Sequence, residues 1–205
     1  MRIFISYRRE DSSGYSGRLY DHLTMSFGEE SVFMDTDTIK PGQNFVEIIQ
    51  AEINRCDVLL AVMGKQWTTV ENSDGNLRLQ NPNDYVRLEV GLALKLHKLV
   101  IPILLENRNM PLPDELPEDL AIISQLNALS VSHERFRSDM TRLVAVLQEY
   151  EASAPESKSP LLQPRSPDDH IDLSGEWTNP DGSVDVYFRQ HKNRLIGVYR
   201  LDGFK

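Results

Sequence analysis

Two uninterrupted apolar runs, inside Asp57–Met63 and Leu99–Leu105, constrain what this chain can fold into more than any other feature. A strand with one wet face alternates apolar and polar residues. A strand that is apolar throughout is buried on both faces, as the central strand of a helix-covered parallel sheet is. Shorter strand-like runs recur at Arg2–Ser6, Ser31–Asp35 and, weakly, Ala128–Val131. Helical spacing fills the gaps between them. Leu19, Leu23 and Phe27 repeat every four residues after Ser12-Ser13-Gly14, which reads as a helix start. Phe45, Ile48, Ile49 and Ile53 follow Pro41-Gly42, and Phe136, Met140, Leu143, Val144 and Leu147 mark a last helix. From Val86 to Leu96 apolar residues alternate as in a strand. The length of that run, its Leu and Ala content and the better strand just after it favour a helix.

Regular alternation of strand and helix predicts an α/β fold, a five-stranded parallel sheet with helices on both faces in a flavodoxin-like order. In such sheets ligands bind at the carboxyl ends of the strands, here beside the first one. The domain ends near residue 150. Glu151–His170 carries Pro155, Pro160, Pro164 and Pro167 among serines and charges, and reads as a linker over 151–170. Residues 171–205 are β-rich: Asn179-Pro180-Asp181-Gly182 is a turn signal, Val184, Val186 and Phe188 alternate, and Leu195–Leu201 returns. So few strands bury too little surface to stand alone. Docking on the first domain, pairing with another chain, and opening a longer barrel all remain as expectations for this segment.

A net charge of −9 argues against broad binding to nucleic acid or anionic membrane, so an anionic ligand would need a local basic pocket. Arg8 and Arg9, directly after the first strand, supply one candidate. The single cysteine, Cys56, precludes an intramolecular disulfide and fits a reducing cytosol. No apolar run reaches the roughly 18 residues of a membrane span, and no signal-peptide core is present, so a cytoplasmic protein is expected. The five histidines show no metal-ligand spacing, and Asp35-Thr36-Asp37 reads as a helix-entry loop, so no metal site is expected. The signatures of serine hydrolases, Rossmann dehydrogenases and P-loop enzymes are missing. A phosphoacceptor receiver shares the fold, but it needs acidic residues after strand one and an aspartate ending strand three. This chain has Arg8-Arg9 and Gly64-Lys65 there.

Three motifs in order carry a family resemblance: Phe4-Ile5-Ser6-Tyr7-Arg8-Arg9-Glu10, then Val32-Phe33-Met34-Asp35 leading into Ile39-Lys40-Pro41-Gly42, then Asp84-Tyr85-Val86-Arg87-Leu88-Glu89. Over residues 1–150 the chain resembles a bacterial-type Toll/interleukin-1 receptor (TIR) domain. The resemblance implies either cleavage of the nicotinamide–ribose bond of NAD+, in defence or signalling, or a non-enzymatic adaptor that assembles through TIR–TIR contacts. Glu89 matches the family's catalytic glutamate. Tyr85, where the family commonly has tryptophan, shares a helical face with it four residues earlier. Arg8 and Arg9 match arginines of the dinucleotide pocket, with Tyr7 beside them, and Asp35 matches an acidic residue that orders the loop after strand two. Thr36–Phe45 corresponds to the loop that both covers the cleft and contacts other TIR domains. Trp67 either lines the cleft or packs the sheet edge. The implied partners are NAD+ as substrate, with no further cofactor, and other TIR domains in a homo-oligomer.

One carboxylate is chemically sufficient for the implied reaction. Nicotinamide leaves NAD+ as a neutral pyridine, so the leaving group needs no general acid, and a single carboxylate can stabilise the oxocarbenium ion that forms.

Overall fold

The computed structural model describes residues 1–34 and 45–153 and, beyond them, strands over 175–178, 185–191 and 194–200. The chain divides into two compact units, Met1–Pro155 and Glu156–Lys205. In the first unit β1 (Ile3–Tyr7), α1 (Arg9–Phe27), β2 (Val32–Met34), α2 (Phe45–Arg55), β3 (Val58–Met63), α3 (Tyr85–Lys95), β4 (Leu99–Leu105), β5 (Leu129–Val131) and α4 (Phe136–Ser153) follow one another. The strands form one parallel sheet in the order β2-β1-β3-β4-β5. This is the flavodoxin-like architecture expected from the alternation of elements. β3 lies at the centre with all six residues buried, and the two edge strands have only three residues each.

The pleat divides the core in two. Phe4, Leu59, Ala61 and Met63 face α2 and α3, where Ile49, Ile53, Val86, Val90 and Ala93 meet them. Ile3, Ile5, Val58, Leu60 and Val62 face α1 and α4, against Leu19, Leu23, Met140, Leu143 and Leu147. Pro102 sits inside β4 opposite Ala61 of β3. β5 begins to pair only at Ile103, so at Pro102 the strand has a ladder partner on one side alone, which a residue without an N–H tolerates.

Several boundaries differ from expectation for local reasons. α1 starts at Arg9 rather than after Ser12-Ser13-Gly14. The Arg8 carbonyl already accepts the N–H groups of Asp11 and Ser12, at 3.1 and 2.9 Å. Ser12 and Ser16 turn their hydroxyls back on the carbonyls of Arg8 and Ser12, so these serines sit inside the helix instead of capping it. α4 runs to Ser153, a few residues into the segment expected to be linker, and residues 154–174 lie outside the described residues. The β4–β5 crossover contains short 3-10 segments at Pro113–Glu115 and Glu118–Gln125. Pro113 and Pro117 remove donors that an α-helix would use there.

The second unit holds an antiparallel sheet of β6 (Gly175–Thr178), β7 (Asp185–His191) and β8 (Arg194–Arg200), in that order. Trp177 pairs with Val186, and Val186 with Tyr199.

Candidate active site

The carboxyl end of β1 meets the amino end of α3, and the sequence prescribes how. Alternate residues of a strand share a face. Ser6 and Arg8 therefore turn toward α3, while Tyr7 packs with the α1 and α4 core. α3 begins with Asp84, whose side chain accepts the Arg87 N–H at 3.1 Å in a helix N-cap. From that start Val86, Glu89, Val90 and Ala93 form the buried stripe of the helix, at the i, i+3, i+4, i+7 spacing of a core face. Glu89 thus occupies a core position and is 3% exposed. The hydroxyl of Ser6, itself buried, donates to Glu89 Oε2 at 2.6 Å.

Two residues along, Arg8 is also buried and is held on three sides. Its Nη1 and Nη2 donate to the two carboxylate oxygens of Asp84 at 2.9 and 3.0 Å, and its Nε donates to the Trp67 carbonyl at 2.9 Å. Arg78 approaches the same Asp84 carboxylate, with Nε at 3.4 Å from Oδ2, and its Nη1 reaches Glu10 at 2.7 Å. The Glu10 carboxyl is held below the usual carboxylate range. The largest cause is a hydrogen bond with its own backbone; burial opposes it, and the Arg78 charge adds to it. An alternating chain of charge therefore runs Glu10, Arg78, Asp84, Arg8 from the surface inward.

The residues singled out in the sequence fall into distinct places. Glu89 and Ser6 come together, with Arg8 beside them. Arg8, which the resemblance assigns to the dinucleotide pocket, donates to Asp84 and to the Trp67 carbonyl and is 2% exposed. Arg9 is exposed on the first turn of α1. Tyr85, on the first turn of α3 and one turn before Glu89, is 45% exposed. Trp67 is fully buried and packs in the α2 and α3 core. Asp35 and residues 36–44 of the following loop lie outside the described residues. Ser6 and Asp84 join the site without a role foreseen from their motifs alone. The i, i+2 relation of Ser6 to Arg8 and the aspartate directly before a helical run were the available signals.

Among the described residues no group of three or more His, Cys, Asp or Glu is placed to hold a metal ion. Nor is any helix there long and apolar enough to cross a membrane.

A family model for the TIR domain matches residues 3–144. The NAD(+) hydrolase SARM1 of Danio rerio is 27% identical over 146 residues, which covers 71% of this chain and 19% of that protein. The chain thus spans about a fifth of the length of this curated relative. Among solved structures, the TIR domains of the activated Roq1 resistosome that recognises the pathogen effector XopQ superpose with a TM-score of 0.53 at 13% identity. That match covers 73% of this chain and 98% of the other, and it supports the fold alone. The Clostridium botulinum CMP N-glycosidase BcmB, at 17% identity over 70% of this chain and 98% of its own, has a TM-score of 0.40, too low to bear on the fold. With the family model matched across most of the first unit, this chain belongs to the TIR domain family.

Proposed function

We propose that this TIR domain cleaves the nicotinamide–ribose bond of NAD+, with Glu89 as the catalytic residue. The observation that carries the proposal is a carboxylate at a core position of α3, hydrogen-bonded by Ser6 at the carboxyl end of β1. A buried carboxylate without a role is costly to keep, and functional sites are where such groups collect. The similarity over 146 residues to a protein named as an NAD(+) hydrolase supports the same reading.

In the proposed reaction the C1′–N bond breaks and its electron pair leaves with neutral nicotinamide. Positive charge develops on the ribose ring, and the Glu89 carboxylate stabilises it. Water then adds to C1′ and loses a proton to solvent, giving ADP-ribose; attack by a group on the adenosine end of the same molecule would instead give a cyclised product. Ser6 fixes one oxygen of the Glu89 carboxylate. In this reading Tyr85 shapes the nicotinamide side and Arg9, exposed on the first turn of α1, contacts the phosphates. Assembly with further copies of the domain belongs to the proposal, as the family resemblance implies.

The test is nicotinamide release from NAD+ by the purified chain at several protein concentrations. Release that rises more steeply than linearly with concentration, and is lost in Glu89→Ala at every concentration, is the expected outcome. Equal release by Glu89→Ala would remove the glutamate from the mechanism, and strictly linear release would remove assembly. An adaptor without catalysis would release none and would still self-associate.

A further inference from the structure

Strand β1 and the residue that follows it grip helix α3 at two points. Ser6 holds Glu89, and two residues along Arg8 holds Asp84, the N-cap of the same helix. The spacings match. Two residues of strand advance about 6.8 Å, and the five residues from Asp84 to Glu89 rise about 7.5 Å along a helix axis. Two contacts at matched separation fix both the axial position of the helix and its rotation, where either alone would leave one free. The second grip is rigid. It is a two-pronged guanidinium–carboxylate pair whose side chains are 1% and 2% exposed. Arg8 Nε is tied to the Trp67 carbonyl beyond β3, and Trp67 itself is fully buried.

We propose that Arg8 and Asp84 are positioning residues, a buried clamp that sets α3 against β1 so that the Glu89 carboxylate stands at Ser6. The inference rests on the reading of Glu89 as the catalytic group, and it gives Arg8 a task other than contact with the dinucleotide. Arg78 and Glu10 back the clamp from the surface side. Displacing a reacting group by about 1 Å lowers turnover by about 100-fold, so a clamp that holds α3 to a fraction of that distance has a direct catalytic consequence.

The distinction from substrate binding is measurable. Asp84→Asn keeps an N-cap acceptor but removes the charge that Arg8 grips, and Arg8→Lys keeps the charge but loses the fork. Both variants are expected to lose at least about tenfold in kcat while KM for NAD+ stays within about twofold, the pattern of a misplaced catalytic group. The double variant is expected to lose no more than the worse single one, because the two act as a unit. Amide hydrogen exchange over residues 85–92 is expected to quicken in Asp84→Asn, with β3 protection unchanged. A raised KM with kcat retained in Arg8→Lys would overturn the proposal in favour of direct ligand contact. So would additive losses in the double variant. Glu89→Gln, assayed alongside, separates the two claims. If the wild-type chain releases no nicotinamide, or Glu89→Gln releases as much, the catalytic reading fails. Exchange then decides the clamp alone: quickening confined to α3 supports it, and unchanged exchange overturns it.

Discussion

At the scale of single residues, close approach does as much as polar chemistry to build this site's surroundings. Gly64, just after β3, lies against the Asp11 carboxylate. A methyl group there would stand 2.5 Å from Oδ2 and 2.6 Å from Cγ. Asp11 cannot swing away freely, because its Oδ1 accepts the Gln66 N–H at 2.8 Å. Gly64→Ala is therefore expected to destabilise the domain by about 1–3 kcal/mol, the usual range for overpacking. Removing the obstructing carboxylate with Asp11→Ala should shrink that penalty, and urea unfolding of the four members of the cycle measures the coupling. Additive effects would mean that the carboxylate is not what the methyl meets. Glu89 teaches a related lesson. Its chemistry was legible from the motif around it. Its burial was legible only from the helical stripe of Val86, Val90 and Ala93 that it interrupts. The Ser6 hydroxyl that completes the site comes from 83 positions away in sequence, and its one local signal is the i, i+2 relation to Arg8.

At the scale of elements, the central strands of the first unit were the most legible, because a parallel strand covered on both faces must be apolar on both, whereas the edge strand β5 alternates and left only a weak signal. α3 was harder. Its apolar residues alternate at 86, 88, 90, 92, 94 and 96, and only length and composition favoured the helix that forms over Tyr85–Lys95. The start of α1 was misplaced because serine is both a cap and, as here, a residue that bonds back along the helix. The β4–β5 crossover was not legible, since its 3-10 segments have neither helical nor strand periodicity. Cys56, which leads from α2 into β3, gives a test of how this junction is packed. Burial pushes its thiol from 9.0 up to about 11, with the nearby Lys98 charge acting in the opposite direction. The folded state thus holds the thiol proton more tightly than the unfolded chain does. That contribution to stability is complete below pH 9 and disappears as pH rises from 9 toward 11. Between pH 8 and 10.5 the urea midpoint of the wild-type chain should fall faster than that of Cys56→Ala. Parallel curves would mean that the thiol is not buried in solution.

At the scale of the whole molecule, the first unit contains both halves of the core, one on each face of the sheet. Residues 1–155 are therefore expected to fold by themselves and to unfold in a single cooperative transition seen alike by far- and near-ultraviolet circular dichroism. Loss of the near-ultraviolet signal with helix retained would contradict a self-sufficient core. The turn signal and the alternation in residues 171–205 were enough to mark them as β-rich, and the strands there pair antiparallel. A local pattern marks strands but carries no information on what their sheet serves. The central claim concerns one carboxylate. Its most direct test is nicotinamide release from NAD+ by the wild-type chain and by Glu89→Gln, once both are shown to unfold at the same temperature. Release by the wild type that falls at least about 100-fold in the variant is the predicted result. Undiminished release from a folded Glu89→Gln chain would contradict it.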